Sequence, residues 1–110
     1  MTKAKRDLFD EGLQSAASYF KVLSHPARLA ILIYLARTKS CISGDISNEL
    51  PLGRTTVYQH LKELKALDLI IGEIEGVKVN YCLNSEKLIQ MQKVFDSFLK
   101  EIKCCEPLCS

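Results

Sequence analysis

The stretch Arg54-Thr-Thr-Val-Tyr-Gln-His-Leu-Lys-Glu-Leu-Lys-Ala66 constrains this chain more than any other. Val57, Leu61 and Leu64 recur at i, i+4 and i+7, the spacing of one narrow apolar stripe on a helix. At about 100° per residue, Thr55, Gln59 and Lys62 fall on the opposite side, flanked by Tyr58 and Thr56. That outer face is poor in acids and rich in groups that reach nucleic acid. Gln pairs bidentately with adenine, a Thr methyl touches the thymine methyl, and Lys neutralises phosphate. Arg54, Lys62 and Lys65 against Glu63 make the helix basic. A β-hairpin is expected next, from Leu69 to Leu83, turning at Glu75-Gly76. In it Val77, Val79, Tyr81 and Leu83 alternate on one face, with Lys78 and Asn80 on the other. On a functional reading its tip lies along a DNA backbone, with Lys78 as the phosphate contact. On a structural reading it is only a ribbon.

The residues before this stretch complete a motif. Ser43 or Gly44 leads into a short helix with Ile46 and Leu50 inward, and Pro51-Leu-Gly53 stops it and turns the chain into the next helix. Two helices, a turn and a hairpin specify a mainly α winged helix-turn-helix with a β-hairpin wing. The rest of the chain supports it. Asp7 to Leu23 is expected as a first helix, with Phe9, Leu13, Ala16, Phe20 and Leu23 along one face. Ser24-His25-Pro26 then starts a second, with Ser24 as the cap and Pro26 in the first turn. That helix, Ala27 to Arg37, is apolar nearly all round and should be the central buried one. His25 has no second ligand at helical spacing, which favours a local structural part over metal binding. Ser85 is expected to cap a last helix, on which Leu88, Met91, Phe95, Phe98 and Ile102 follow a seam pattern. The two terminal helices are expected to build a two-fold homodimer, which sets two readers about one turn of duplex apart.

The chain has 110 residues, enough for one domain with a cysteine-bearing tail from about residue 104 to 110. A net charge of +2 gives no global basic field, so nucleic acid must be met by a local patch. The longest apolar run, Leu29 to Ala36, is too short to span a membrane, and Met1 to Asp10 lacks a signal-peptide core. A cytoplasmic protein is expected, with Lys3, Lys5 and Arg6 in a solvated arm. Of five cysteines, three crowd into the last seven residues. In a reducing compartment structural disulfides are not expected. Cys82 reads as a small packing residue within a strand, and the sequence leaves Cys41 undecided.

The tail Cys104-Cys105-Glu-Pro-Leu-Cys109 begins where Pro107 must end the last helix. Three thiols on a short segment can surround one soft ion, and Lys100 and Lys103 one turn earlier favour the thiolate form. Zinc is less well served, because a structural site takes four ligands and no fourth donor is near. Three thiolates suit trivalent arsenic or antimony better than a tetrahedral metal. The competing readings are a cadmium or zinc sensor, or a tail whose cysteines are incidental or redox-active. A thiol oxidoreductase or arsenate reductase needs a Cys-x-x-Cys at a helix start or a phosphate-cradling loop. Neither pattern is present, so an enzyme is not expected and no cofactor is required.

Three stretches carry a resemblance: Val22-Leu-Ser-His-Pro-Ala-Arg-Leu-Ala-Ile-Leu32, Thr56-Val-Tyr-Gln-His-Leu-Lys-Glu-Leu64 and Leu69-Ile-Ile-Gly-Glu-Ile-Glu-Gly76. Together they resemble the arsenic-repressor (ArsR/SmtB) family of bacterial winged-helix metalloregulators, from about Phe20 to Leu83. The resemblance implies a homodimeric repressor that sits on operator DNA and leaves when it binds its inducer; together with the tail chemistry, that inducer is expected to be As(III) or Sb(III). The resemblance also places Thr55, Thr56, Tyr58 and Gln59 on the family's base-reading positions; the residues' own charge adds Arg54, Lys62 and Lys78 as expected DNA contacts. Where many arsenic sensors of the family carry Cys-x-Cys, this chain has Ile42 and Gly44. The zinc ligands of other members are also missing, since Lys87 to Lys103 contains no His. Some members instead have an adjacent Cys pair and a third Cys near the C-terminus, and Cys104, Cys105 and Cys109 are similar to these.

Overall fold

Gly53 opens the helix on which the domain is built, α3 (Arg54–Ala66), from an extended conformation, and its carbonyl accepts from the Val57 N–H at 3.0 Å. The computed structural model describes residues 8–38, 42–44, 50–75 and 78–103, with the backbone alone at 42–44, 73–75 and 78–80. The expected stripe is buried: Val57, Leu61 and Leu64 are all 2% exposed or less. The helix ends in a Schellman cap, Leu69 N–H donating to the Leu64 carbonyl and Asp68 N–H to that of Lys65. Asp68 adopts a left-handed conformation there, at φ 59°.

Two strands follow, β2 (Ile70–Glu75) and β3 (Lys78–Leu83), where the sequence predicts a hairpin, but Glu75, expected in the turn, is instead paired with Lys78; residues 76 and 77 lie outside the described residues. A third strand, β1 (Ile42–Gly44), lies where Ser43 or Gly44 was expected to lead into a short helix. It pairs antiparallel with β3, so β3 is the middle strand of a β1-β3-β2 sheet. Ile-Ser-Gly is too short to show alternation, and the strand exists because β3 offers it an open edge. Gly72 faces Tyr81 across β2 and β3 at φ 130°, a conformation that only glycine adopts without strain. The short helix expected around Ile46 falls within 45–49, outside the described residues.

The first helix, α1 (Glu11–Val22), is shorter than the sequence predicts, because Asp10 caps it by accepting from the Leu13 N–H at 2.8 Å. Its buried residues are Ala16, Tyr19 and Val22, whereas Phe9, Leu13 and Phe20 of the expected face stay 61%, 46% and 47% exposed. The second helix, α2 (Pro26–Thr38), is not capped by Ser24. The His25 Nδ1 accepts from the Ala27 N–H at 3.0 Å, and the Ser24 hydroxyl instead donates to the Lys21 carbonyl at the end of α1. Nor is α2 buried all round: Ala27, Ile31 and Leu35 enter the core while Leu29 and Ile33 face solvent.

The last helix, α4 (Ser85–Ile102), is capped by Asn84, not Ser85, with the Asn84 carboxamide oxygen accepting from the Lys87 N–H. Leu88, Met91, Val94 and Phe95 pack partly buried against the core. Phe95 stacks on Phe20 with ring centroids 4.7 Å apart and meets Tyr19 edge-on at 5.9 Å. Lys87 lies half-buried with its ammonium over the Tyr19 ring. No residue of α4 is fully buried, although its seam is strongly apolar.

Candidate nucleic-acid interface

The core stripe of α3 fixes which of its side chains meet solvent. Arg54, Thr55, Thr56, Gln59 and Lys62 are all exposed, and Tyr58 is half-buried. The Lys62 ammonium lies 5.4 Å from the centre of the Tyr58 ring, a cation–π contact that holds both side chains over the outer face. Gly53, the N-cap of α3, makes no side-chain cap hydrogen bond. Such a helix end favours an anion. Lys78 opens β3 opposite Glu75, at the wing tip, and only its backbone is described. Cys104, Cys105 and Cys109 lie outside the described residues, and among the described residues no group of three His, Cys, Asp or Glu side chains gathers to hold a metal.

Behind the outer face is an anchor: helical geometry puts His60 at the border of the buried face, as a structural residue, but gives it no partner. His60, on the inner side of α3, is 7% exposed, and its Nδ1 accepts from the Arg28 Nε at 3.1 Å. Arg28 also donates from Nη1 to the Val22 carbonyl at 3.2 Å, so one guanidinium joins the end of α1, the first turns of α2 and the middle of α3. The His25 ring lies 4.4 Å from that of His60. The signal was present in Leu-Ser-His-Pro-Ala-Arg, whose Ser, His and Arg each hold one junction of these helices, but the pairing of Arg28 with His60 spans 32 residues and no local pattern announces it.

Because Nδ1 accepts a hydrogen bond, His60 is neutral in the folded chain. Burial first, then the His25 ring and the Arg28 guanidinium, hold its pKa below the usual 6.5, while Glu63 acts weakly in the other direction. Above about pH 6.5 the group is neutral in both folded and unfolded chains and contributes no pH dependence. As pH falls below that value the unfolded chain takes up the proton first, so stability is lost until folded His60 also protonates. Stability measured by urea unfolding is expected to fall from pH 7 toward pH 5. In His60→Gln, which keeps an acceptor but does not titrate, that slope becomes shallower. An unchanged slope would remove His60 as its source.

A polar, cation-bearing helix face set beside a two-stranded wing on a helical core defines a winged helix-turn-helix protein. Comparison with known proteins agrees. Residues 23–73 match a helix-turn-helix domain family. The chain is 30% identical over 96 residues to a cadmium resistance transcriptional regulatory protein CadC homolog of Staphylococcus aureus, covering 86% of this chain and 79% of that one. It is 33% identical over 78 residues to the HTH-type transcriptional repressor SmtB of Mycobacterium tuberculosis, covering 71% of this chain and 57% of that one. Its fold matches that of an ArsR-like transcriptional regulator from Rhodococcus, at a TM-score of 0.61 and 24% identity over 79% of this chain and 81% of that chain. The chain belongs to the ArsR/SmtB family of transcriptional regulators. These relatives are regulators, not enzymes, as the missing catalytic patterns led us to expect. Among the described residues no helix is long and apolar enough to cross a membrane.

Proposed function

We propose that this protein is a homodimeric repressor that reads operator DNA with the outer face of α3 and is released by a thiophilic ion bound at its C-terminal cysteines. The observation that carries the reading is that Arg54, Thr55, Thr56, Gln59 and Lys62 share one exposed face, with Tyr58 among them. Thr55, Thr56, Tyr58 and Gln59 suit base edges, and Arg54, Lys62 and the wing residue Lys78 suit phosphates. Dimerisation is supported by the apolar surface that α1 and α4 leave open. Leu13, Phe20, Leu99 and Ile102 are each more than 40% exposed, and a groove of about 650 Å³ runs between the two helices, lined in part by Leu13, Val94, Phe98 and Ile102. A single chain gains nothing by exposing such a surface, whereas a second copy would cover it.

For the inducer, three thiolates at Cys104, Cys105 and Cys109 match the donor preference of trivalent arsenic or antimony. A second reading has a specific basis: relatives at this similarity regulate cadmium resistance, and cadmium is equally thiophilic. Either ion must bind the DNA-free form better than the DNA-bound form, with a coupling of about 1–3 kcal/mol. Anisotropy of the reduced protein on a duplex from its own promoter separates these readings. Arsenite or antimonite is expected to weaken binding by about 5–150-fold, with two chains per site, and a Cys104→Ser, Cys105→Ser, Cys109→Ser variant is expected to lose that ratio. Release by Cd²⁺ alone selects the second reading, and binding indifferent to every ion removes the tail as a sensor.

A further inference from the structure

Cys82 was expected to be a small packing residue in a strand, but it is disulfide-bonded. It is the only cysteine among the described residues, so its partner is one of Cys41, Cys104, Cys105 and Cys109. The register of the sheet discriminates among them. β1 pairs with β3 as Ile42 with Tyr81, Ser43 with Asn80 and Gly44 with Val79. Cys41 directly precedes Ile42 in the chain and Cys82 directly follows Tyr81, so of the four candidates Cys41 is the one whose chain neighbour is paired beside Cys82. Directly opposed residues of an antiparallel pair have Cα atoms about 4.5–5.5 Å apart, within the span of a disulfide.

We propose that Cys41 and Cys82 form a reversible disulfide that staples β1 to the middle strand of the wing and so sets DNA affinity; the last clause rests on the DNA-reading function proposed above. Cys82 lies on the outer side of the sheet. Its neighbour Tyr81 points into the core at 1% exposure, while Cys82 is half-buried and its partner across β2, Ile71, is 48% exposed. Small oxidants and reductants therefore reach it without unfolding the domain. The bond also lies at a junction that matters: β1 follows α2 and leads toward α3, and β3 runs from the wing tip to α4.

The oxidant is a hydroperoxide. One cysteine thiolate attacks a peroxide oxygen, the O–O bond breaks and hydroxide leaves, giving a sulfenic acid. The second thiolate attacks that sulfur, the S–O bond breaks, and a second hydroxide leaves. The two thiols lose two electrons and two protons in all, and hydrogen peroxide becomes two waters. A dithiol reverses the bond by exchange: one of its thiolates attacks a protein sulfur and frees the first cysteine, then its second thiolate closes the reductant's own disulfide and frees the other cysteine. With the staple closed, β1 and the wing are held in register before DNA arrives, so less ordering is needed on binding. The oxidised form holds DNA more tightly.

The test uses the full-length chain, treated with hydrogen peroxide and then with dithiothreitol. Tryptic mapping under non-reducing conditions is expected to show peptide 40–54 joined to peptide 79–87, appearing with peroxide and vanishing with dithiothreitol. Peptide 79–87 joined to 104–110, or no reversible link, would overturn the assignment. On promoter DNA the oxidised protein is expected to bind at least about fivefold more tightly than the reduced protein, and Cys41→Ser and Cys82→Ser should each abolish the difference. Equal or weaker binding when oxidised overturns the switch alone. A reduced protein that binds no DNA even at low salt overturns the DNA-reading function, and the peptide map still decides the pairing.

Discussion

Gln59→Ala is expected to lose about 5–150-fold in affinity for the operator while changing affinity for unrelated duplex little. A bidentate contact to adenine is worth about 1–3 kcal/mol of discrimination, and Gln59 stands exposed on the outer face of α3 with no part in the core. Lys62→Ala should behave differently, weakening binding to every sequence and reducing the slope of log affinity against log salt by about 0.9, the signature of one lost phosphate contact. Arg54→Ala is expected to resemble Lys62→Ala. Because all three side chains are exposed, each variant should keep its folding free energy within about 0.5 kcal/mol. Combining the three should remove specific binding altogether. Anisotropy titrations at several salt concentrations, on operator and on scrambled duplex, provide the readout. Gln59→Ala binding both duplexes like the parent would mean that the reader is not this face.

On the inner side of the same helix the expected loss is of stability. Leu64 is fully buried in the cluster that includes Ile31, Leu61, Leu69, Ile70 and Tyr81, and its carbonyl accepts the bond that closes the end of α3. Leu64→Ala should cost about 2–5 kcal/mol, from lost burial and the cavity left behind. A domain of this size has only about 5–15 kcal/mol to lose, so melting should fall by about 8 °C or more, on the order of 4–8 °C for each kcal/mol. Calorimetry on Leu64→Ala beside Gln59→Ala makes the contrast direct, two positions five residues apart with opposite consequences. A Leu64→Ala protein melting within about 2 °C of the parent would contradict the packing described for α3.

How far the sequence led can be traced element by element. In α3 a single stripe, Val57, Leu61 and Leu64, had one possible inward direction, and the structure buries it. In α1 two apolar stripes compete, and periodicity does not say which one faces the core. Ala16, Tyr19 and Val22 won, leaving Phe20 to stack on Phe95 and Leu13 at the surface. In α2 the surplus of apolar residues looked like complete burial, yet Leu29 and Ile33 remain at the surface. Caps were legible as a class but misplaced by a residue: Asn84 did what Ser85 was expected to do, and His25 what Ser24 was. The exposure of Arg54, Thr55, Thr56, Gln59 and Lys62 on α3 was legible, since it follows from the core stripe by helical geometry alone.

Helix, turn and hairpin were determined by the sequence itself, because the 3.6-residue and two-residue periods and the glycine and proline stops act over a few neighbours. The tertiary structure alone decided the rest. Arg28 meets His60 across 32 residues, β1 exists only because β3 offers it an edge, and Cys82 enters a disulfide instead of simple packing. Each of these depends on where two distant segments come to lie after the core has formed. The free energy that places them is the burial of Ile31, Leu64, Leu69, Ile70 and Tyr81 together, a property of the assembled cluster that none of its segments displays alone.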